Sequence, residues 1–153
     1  MLNEIHGFQA AYARCIDDDR LEGWPEYFLP NAHYRVTTVD NHRRGLPAVL
    51  SWANSRALLV DRITALREAN IYERHSYRHL LGLPFVEPQA DGTARAETPF
   101  MVARIMRDGG TELFVTGRYL DVFARDEAGA LKLLERVVVC DSSRIDTLLA
   151  IPL

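Results

Sequence analysis

The chain has 153 residues, 48% of them hydrophobic and 25% charged, and a formal net charge of −3. That composition reads as one globular domain, spanning residues 1–153, with room for a sizeable core. The slight acidity excludes a basic footprint for nucleic acid or an anionic membrane surface, and no apolar run approaches the ~20 residues of a membrane span.

The start, MLNEIHGFQAAYARC, lacks the basic and apolar regions of a signal peptide, so the cytoplasm is the expected compartment. Asn3 can cap a first helix, in which Ile5, Phe8, Tyr12, Cys15 and Ile16 make an apolar stripe. Asp17, Asp18 and Asp19 end it or cap the next. Arg20–Leu29 reads as a second short helix with Trp24, Tyr27 and Phe28 on one face. Pro25 suits only a first turn, which puts its start near Gly23, and Pro30-Asn31 stops it. The β-branched stretch His33–Val39 reads as a strand, and Asp40–Pro47 as a polar loop. A third helix follows, capped by Ser51 or Asn54, with Leu59, Ile63, Leu66 and Asn70 in one stripe.

After Asn70 the period changes. Tyr77–Glu87 suits a strand, with Gly82 and Pro84 marking a bulge or an edge. A turn at Gln89–Gly92 leads to a strand over Ala94–Arg107, and Asp108-Gly109-Gly110 is a strong hairpin turn. Two long β-type runs, Leu113–Ala124 and Leu131–Cys140, then flank the turn Asp126–Gly129. Strands usually run ~5–6 residues, so these form an unusually long hairpin around which the rest is organised. Helices first and a strand meander afterwards argue α+β. The expected architecture is the cone-shaped nuclear-transport-factor-2-like (cystatin-like) fold: three N-terminal helices packed on a long curved mixed or antiparallel sheet. That fold hosts dehydratases, isomerases and structural subunits, so it does not by itself assign a function.

Chemistry-bearing motifs are few. Cys15 and Cys140 lie far apart in apolar patterns and read as buried free thiols, with no CxxC. His75 and His79 are four apart, but on a strand that spacing is ~13 Å, too far for one metal ion. A Rieske cluster needs two Cys and two His at paired spacing, which this chain does not supply. Asp40, Asp121, Glu135 and Asp141 are the acid/base candidates that a cone-fold enzyme would need in an apolar pocket. Arg118, Asp121, Glu135 and Arg136 read better as cross-strand ion pairs. There is no Gly-rich phosphate loop and no GxSxG elbow.

Tyr72–Pro84 (YERHSYRHLLGLP), Gly117–Asp121 (GRYLD) and Leu133–Asp141 (LLERVVVCD) together resemble the small (β) subunit of aromatic-ring-hydroxylating dioxygenases. That family often opens its first long strand with Arg-x-Arg-His. Here Arg78 and His79 match the second Arg and the His, and Ser76 replaces the first Arg. Gly117, Arg118 and Asp121 match a Gly-Arg-x-x-Asp strand, and Arg136 and Asp141 match the family's last strand. The resemblance covers nearly the whole chain. It implies a non-catalytic subunit with no catalytic, cofactor-binding or metal-binding residue of its own. The large (alpha) oxygenase subunit would carry a Rieske [2Fe-2S] cluster and a mononuclear Fe(II), and would cis-dihydroxylate an aromatic carboxylate with O2. A reductase, acting through the large subunit, would bring electrons from NAD(P)H, and an alpha3beta3 assembly with other copies of this chain is the expected form. A stand-alone dehydratase or isomerase and a small-ligand-binding homodimer are the alternatives. The stretch Tyr72, Arg74, His75, Tyr77, Arg78 and His79 gathers aromatic and cationic groups at a helix-to-strand junction and reads as an interface.

Overall fold

The computed structural model describes residues 1–68, 73–144 and 149–153. Helix α1 runs Leu2–Asp17 and buries Ile5, Gln9, Tyr12, Ala13, Cys15 and Ile16. Asn3 lies inside its first turn and does not cap it; Met1 occupies the cap position without a side-chain bond. The expected second α-helix is a 3-10 helix, Leu21–Tyr27, with Pro25 inside it. The tighter i→i+3 pattern tolerates what an α-helix interior would not, a residue without an N–H. Trp24 on this helix is fully buried, edge-on to Phe28 and Tyr34.

Strand β1 spans Phe28–Thr38, longer than the expected His33–Val39. Pro30 and Asn31 do not end a helix; they lie where the pairing of β1 shifts register between Phe28 and His33. A proline is tolerated in a strand where the ladder is already interrupted. The expected loop after it contains a short helix, α2 (Val39–Arg43), because the Thr38 hydroxyl accepts the Asn41 N–H at 3.3 Å and caps it. Ser51 caps no helix either. It begins a three-residue strand, β2 (Ser51–Ala53), and Ser55 bonds the Leu58 N–H instead. Helix α3 is Arg56–Glu68, with Leu59, Ile63 and Leu66 buried as the stripe requires. Asn70, expected to extend that stripe, lies outside the described residues.

Four strands and a short edge piece complete the chain: β3 (His75–Leu81), β4 (Phe85–Pro88), β5 (Ala94–Met106), β6 (Thr111–Arg125) and β7 (Leu131–Cys140). Gly82–Pro84 divides the expected single strand Tyr77–Glu87 in two. The Gly82 N–H bonds the Pro99 carbonyl at 2.8 Å. The sheet order is β2-β1-β7-β6-β5-β3, with β4 also on β5. The β1–β7 pair is parallel and the others are antiparallel, so the sheet is mixed. Register shifts at Val102/Ala103 and Val122/Phe123 are bulges of the kind that twist long strands.

Helices α1 and α3 and the 3-10 helix pack on one face, here called inner. The tail Leu149–Leu153 packs there too. The Tyr12 and Tyr34 hydroxyls reach the Leu153 main-chain oxygen at 2.9 and 3.1 Å, and Tyr77 reaches that of Ile151 at 3.3 Å. Both cysteines are free and buried. The Cys15 thiol bonds the Arg20 carbonyl, and burial pushes the Cys140 thiol up to about 12.

Candidate functional site

Alternation along β6 turns Tyr119, Asp121 and Phe123 inward. Asp121 lies opposite Arg136 of β7 in the ladder, and both side chains are wholly buried. Arg136 Nε donates to Asp121 Oδ1 and Nη2 to Oδ2, each at 2.8 Å. From α1, Gln9 donates its amide to Asp121 Oδ2 at 2.7 Å and to Thr98 Oγ1 at 3.0 Å, and its carbonyl accepts from Arg136 Nη2. The guanidinium lies between two rings, 4.1 Å from the centroid of Tyr12 and 4.0 Å from that of Tyr119.

This quartet occupies the inner side of the sheet, where a cone-fold enzyme would place its acid or base. Burial alone would push the Arg136 guanidinium down; the Asp121 carboxylate outweighs it, and the net shift is up. Both carboxylate oxygens are taken by donors. The Tyr119 hydroxyl has no hydrogen-bond partner among the described residues, and burial holds it well above its ordinary range. The arrangement is that of a paired, hydrogen-bonded interior charge binding α1 to three strands.

The other acidic candidates are elsewhere. Asp40 is exposed on α2. Asp141 is exposed and accepts the Thr116 hydroxyl at 2.9 Å. Of the expected cross-strand pairs, Arg136–Asp121 forms and Arg118 pairs with Glu97 at 3.1 Å. Glu135 has no ion-pair partner among the described residues. It faces the opposite side of the sheet, on a cleft of about 420 Å³ that Arg35, Phe85 and Val122 also line.

The junction stretch is split by strand parity. Tyr77 points inward and stacks on Phe114, its ring centroid 5.6 Å away. His79 also points inward: its Nδ1 is 2.6 Å from Asp17 Oδ1, and its main-chain N–H bonds Asp17 Oδ2 at 2.8 Å. The side chains of Tyr77 and His79 are therefore taken up by the chain's own interior. Arg74 is exposed, His75 is half-buried, and Arg78 reaches outward with Nη1 4.0 Å from Asp17. Tyr72 lies outside the described residues. Among the described residues no three His, Cys, Asp or Glu side chains could share a metal ion, so this side-chain set does not fit an iron or cluster site.

Gln9 and Asp17 are not among the site residues that the sequence points to. A polar residue in register with Ile5, Tyr12 and Ile16 on a buried stripe was the available signal for Gln9. Asp17 reads from sequence as ending the first helix or capping the next, and neither reading signals a partner for His79.

Helices on one side of an open mixed sheet, with the interior filled, define a SnoaL-like domain. The family model described as the SnoaL-like domain matches residues 2–137. The chain belongs, within that fold, to the small (β) subunits of aromatic-ring-hydroxylating dioxygenases. It is 56% identical, over the full length of both chains, to the terminal oxygenase component subunits beta 1 and beta 2 of terephthalate 1,2-dioxygenase from a Comamonas species. It is 35% identical to the anthranilate 1,2-dioxygenase small subunit of Burkholderia cepacia, over 98% of this chain and 92% of that one. A crystal structure assigned as the β subunit of an aromatic-ring-hydroxylating dioxygenase from Novosphingobium aromaticivorans superposes with a TM-score of 0.90 at 38% identity. It covers 99% of this chain and 96% of that one. These relatives favour the subunit reading over a stand-alone dehydratase or isomerase. A β subunit of an oxygenase component implies an α-subunit partner. No helix among the described residues is long and apolar enough to cross a membrane.

Proposed function

We propose that this chain is the small subunit of a terephthalate-type oxygenase component, and that it supports the assembly without supplying a catalytic residue. The observation that carries the substrate class is the 56% identity over the full length of both terephthalate 1,2-dioxygenase β subunits. The large subunit holds the Rieske [2Fe-2S] cluster and the mononuclear iron and performs the cis-dihydroxylation. A reductase feeds it electrons from NAD(P)H, and three large and three small subunits assemble in the cytoplasm. The engagement of Asp121 by Arg136 and Gln9 supports the non-catalytic reading, because a wholly buried carboxylate held in a two-bond pair with a guanidinium stays ionised and shielded from a substrate proton.

Arg74, His75 and Arg78, with Tyr72, form a contact surface in that assembly, while Tyr77 and His79 set the strand from inside. The exposed Arg78 and Arg74 suit this role, since arginine is enriched at interface hot spots. The test is co-expression with a terephthalate-type large subunit and its reductase. The expected outcome is a co-purifying complex that converts terephthalate to its cis-dihydrodiol. Arg78→Ala or Arg74→Ala should weaken that complex by ~2 kcal/mol while the isolated variant keeps its circular dichroism. A chain that never co-purifies with the large subunit, or a complex inert toward terephthalate but active on another aromatic acid, would overturn the partner or the substrate respectively.

A further inference from the structure

We infer that the outer face of the sheet, opposite α1, α3 and the 3-10 helix, is the surface on which the large oxygenase subunit docks. This rests on the reading of the chain as a small subunit. Strand alternation sends Trp52, Leu80, Phe85, Met101 and Leu113 to that face, and each is between 43% and 67% exposed. Leu83, in the turn between β3 and β4, is 74% exposed. At about 100 Å² of apolar side chain each, the six present roughly 600 Å². They are spread across the sheet from β2 at one edge to β3 at the other, and together amount to most of the ~800 Å² per partner of a standard interface.

The face also holds the cleft of about 420 Å³. Its floor is Leu120, Val122 and Val137, and Arg35, Arg95, Glu87 and Glu135 line it too. None of those four charged groups has an ion-pair partner among the described residues. Glu97, already paired with Arg118, and His42 line it as well, and three carboxylates against two arginines disfavour a small dicarboxylate or a polyanion. An apolar floor beneath unpaired charges of both signs fits a protein ridge that offers an aliphatic or aromatic anchor between a carboxylate and a cation. Arg78 and Leu80 alternate outward on the edge strand β3, and Arg78 also reaches round that edge to Asp17 of α1 at 4.0 Å, so the edge joins this face to the contact surface proposed above.

The experiment uses the full chain co-expressed with the large subunit. Carboxyl footprinting with carbodiimide and an amine needs no substitution. Glu87 and Glu135 should label in the free subunit and become at least tenfold protected in the complex, while Glu127 in the β6–β7 turn keeps labelling. Val122→Glu and Arg35→Glu should each weaken the complex about 30-fold in sedimentation velocity, with unchanged circular dichroism. If the complex forms and neither protection nor weakening is seen, the outer face is not the docking surface and the subunit reading stands. If protection appears only on self-association of the isolated chain, the face belongs to a second copy and the inference is wrong. A parent chain that does not bind the large subunit at all removes the subunit reading, and this inference with it.

Discussion

Replacing Asp121 with alanine removes the one carboxylate, among the described residues, bonded to a guanidinium that is 0% exposed. Arg136 would keep the Gln9 carbonyl and the faces of Tyr12 and Tyr119, none of which carries a negative charge. An uncompensated buried charge costs ~3–5 kcal/mol, a large part of the ~5–15 kcal/mol by which a domain is stable. For a chain of this length each kcal/mol moves Tm by ~2–4 °C, so the expected loss is roughly 6–20 °C. The assay is thermal and urea unfolding of the isolated subunit at pH 7, followed by circular dichroism. The triple variant Gln9→Met, Asp121→Leu, Arg136→Met removes the charges and the amide together and should recover most of the loss, because desolvation of both ions disappears with them. A drop below about 1 kcal/mol for Asp121→Ala, or a triple variant no more stable than the single one, would refute the argument. Asp121→Ala that still assembles should retain turnover; an assembled, fully iron-loaded but inert complex would show that Asp121 acts in the reaction.

Glycine substitutions separate packing from propensity. A Cβ on Gly117 would stand 2.1 Å from the Val139 carbonyl oxygen, so Gly117→Ala must part β6 from β7 and should cost at least ~2 kcal/mol. Gly7, inside α1 with nothing within 4 Å of its Cβ position, should instead gain ~0.5–1 kcal/mol as alanine. Alkaline unfolding is expected next. The folded-state pKa of Cys140 is raised from 9.0 to about 12, so its contribution is complete below pH 9 and is lost as pH rises toward 12. Cys140→Val should move the onset of alkaline unfolding upward, toward the range where the buried Tyr34 and Tyr119 begin to ionise. Tyr77→Phe deletes one tie to the C-terminal tail and should cost ~1 kcal/mol, readable as faster removal of that tail by carboxypeptidase.

The long hairpin was legible in sequence almost to the residue. β-Branched runs flank a turn whose Gly129 takes a φ of 84°, and both signals are local. The start of β1 was hidden because Pro30-Asn31 signals an end in most settings, and only pairing with a distant strand reveals a bulge. Strand β2 has three residues, too few for any periodicity. Helix α2 depends on a cap supplied by the last residue of a strand, Thr38. At the site, the Asp121–Arg136 pair was legible as a cross-strand contact but not as a buried one. Burial follows from Gln9 arriving on α1, 112 residues from Asp121 in sequence. The inward turn of Tyr77 and His79, against Arg78 beside them, is plain two-residue alternation that the eye for composition passed over.

The parallel pairing of β1 with β7 sets the order in which the molecule can be made. Val36 lies beside Val138, and Tyr12 and Tyr34 bond Leu153. The first strand therefore stays without its central partner until β7 has left the ribosome. Closing loops of that length precedes any reward from the contacts they allow, which slows folding and leaves apolar strands open meanwhile. Synthesis of this subunit should thus need a folding chaperone most in the interval between emergence of β1 and emergence of β7, and a nonsense mutation anywhere before β7 should yield an insoluble fragment rather than a smaller working one.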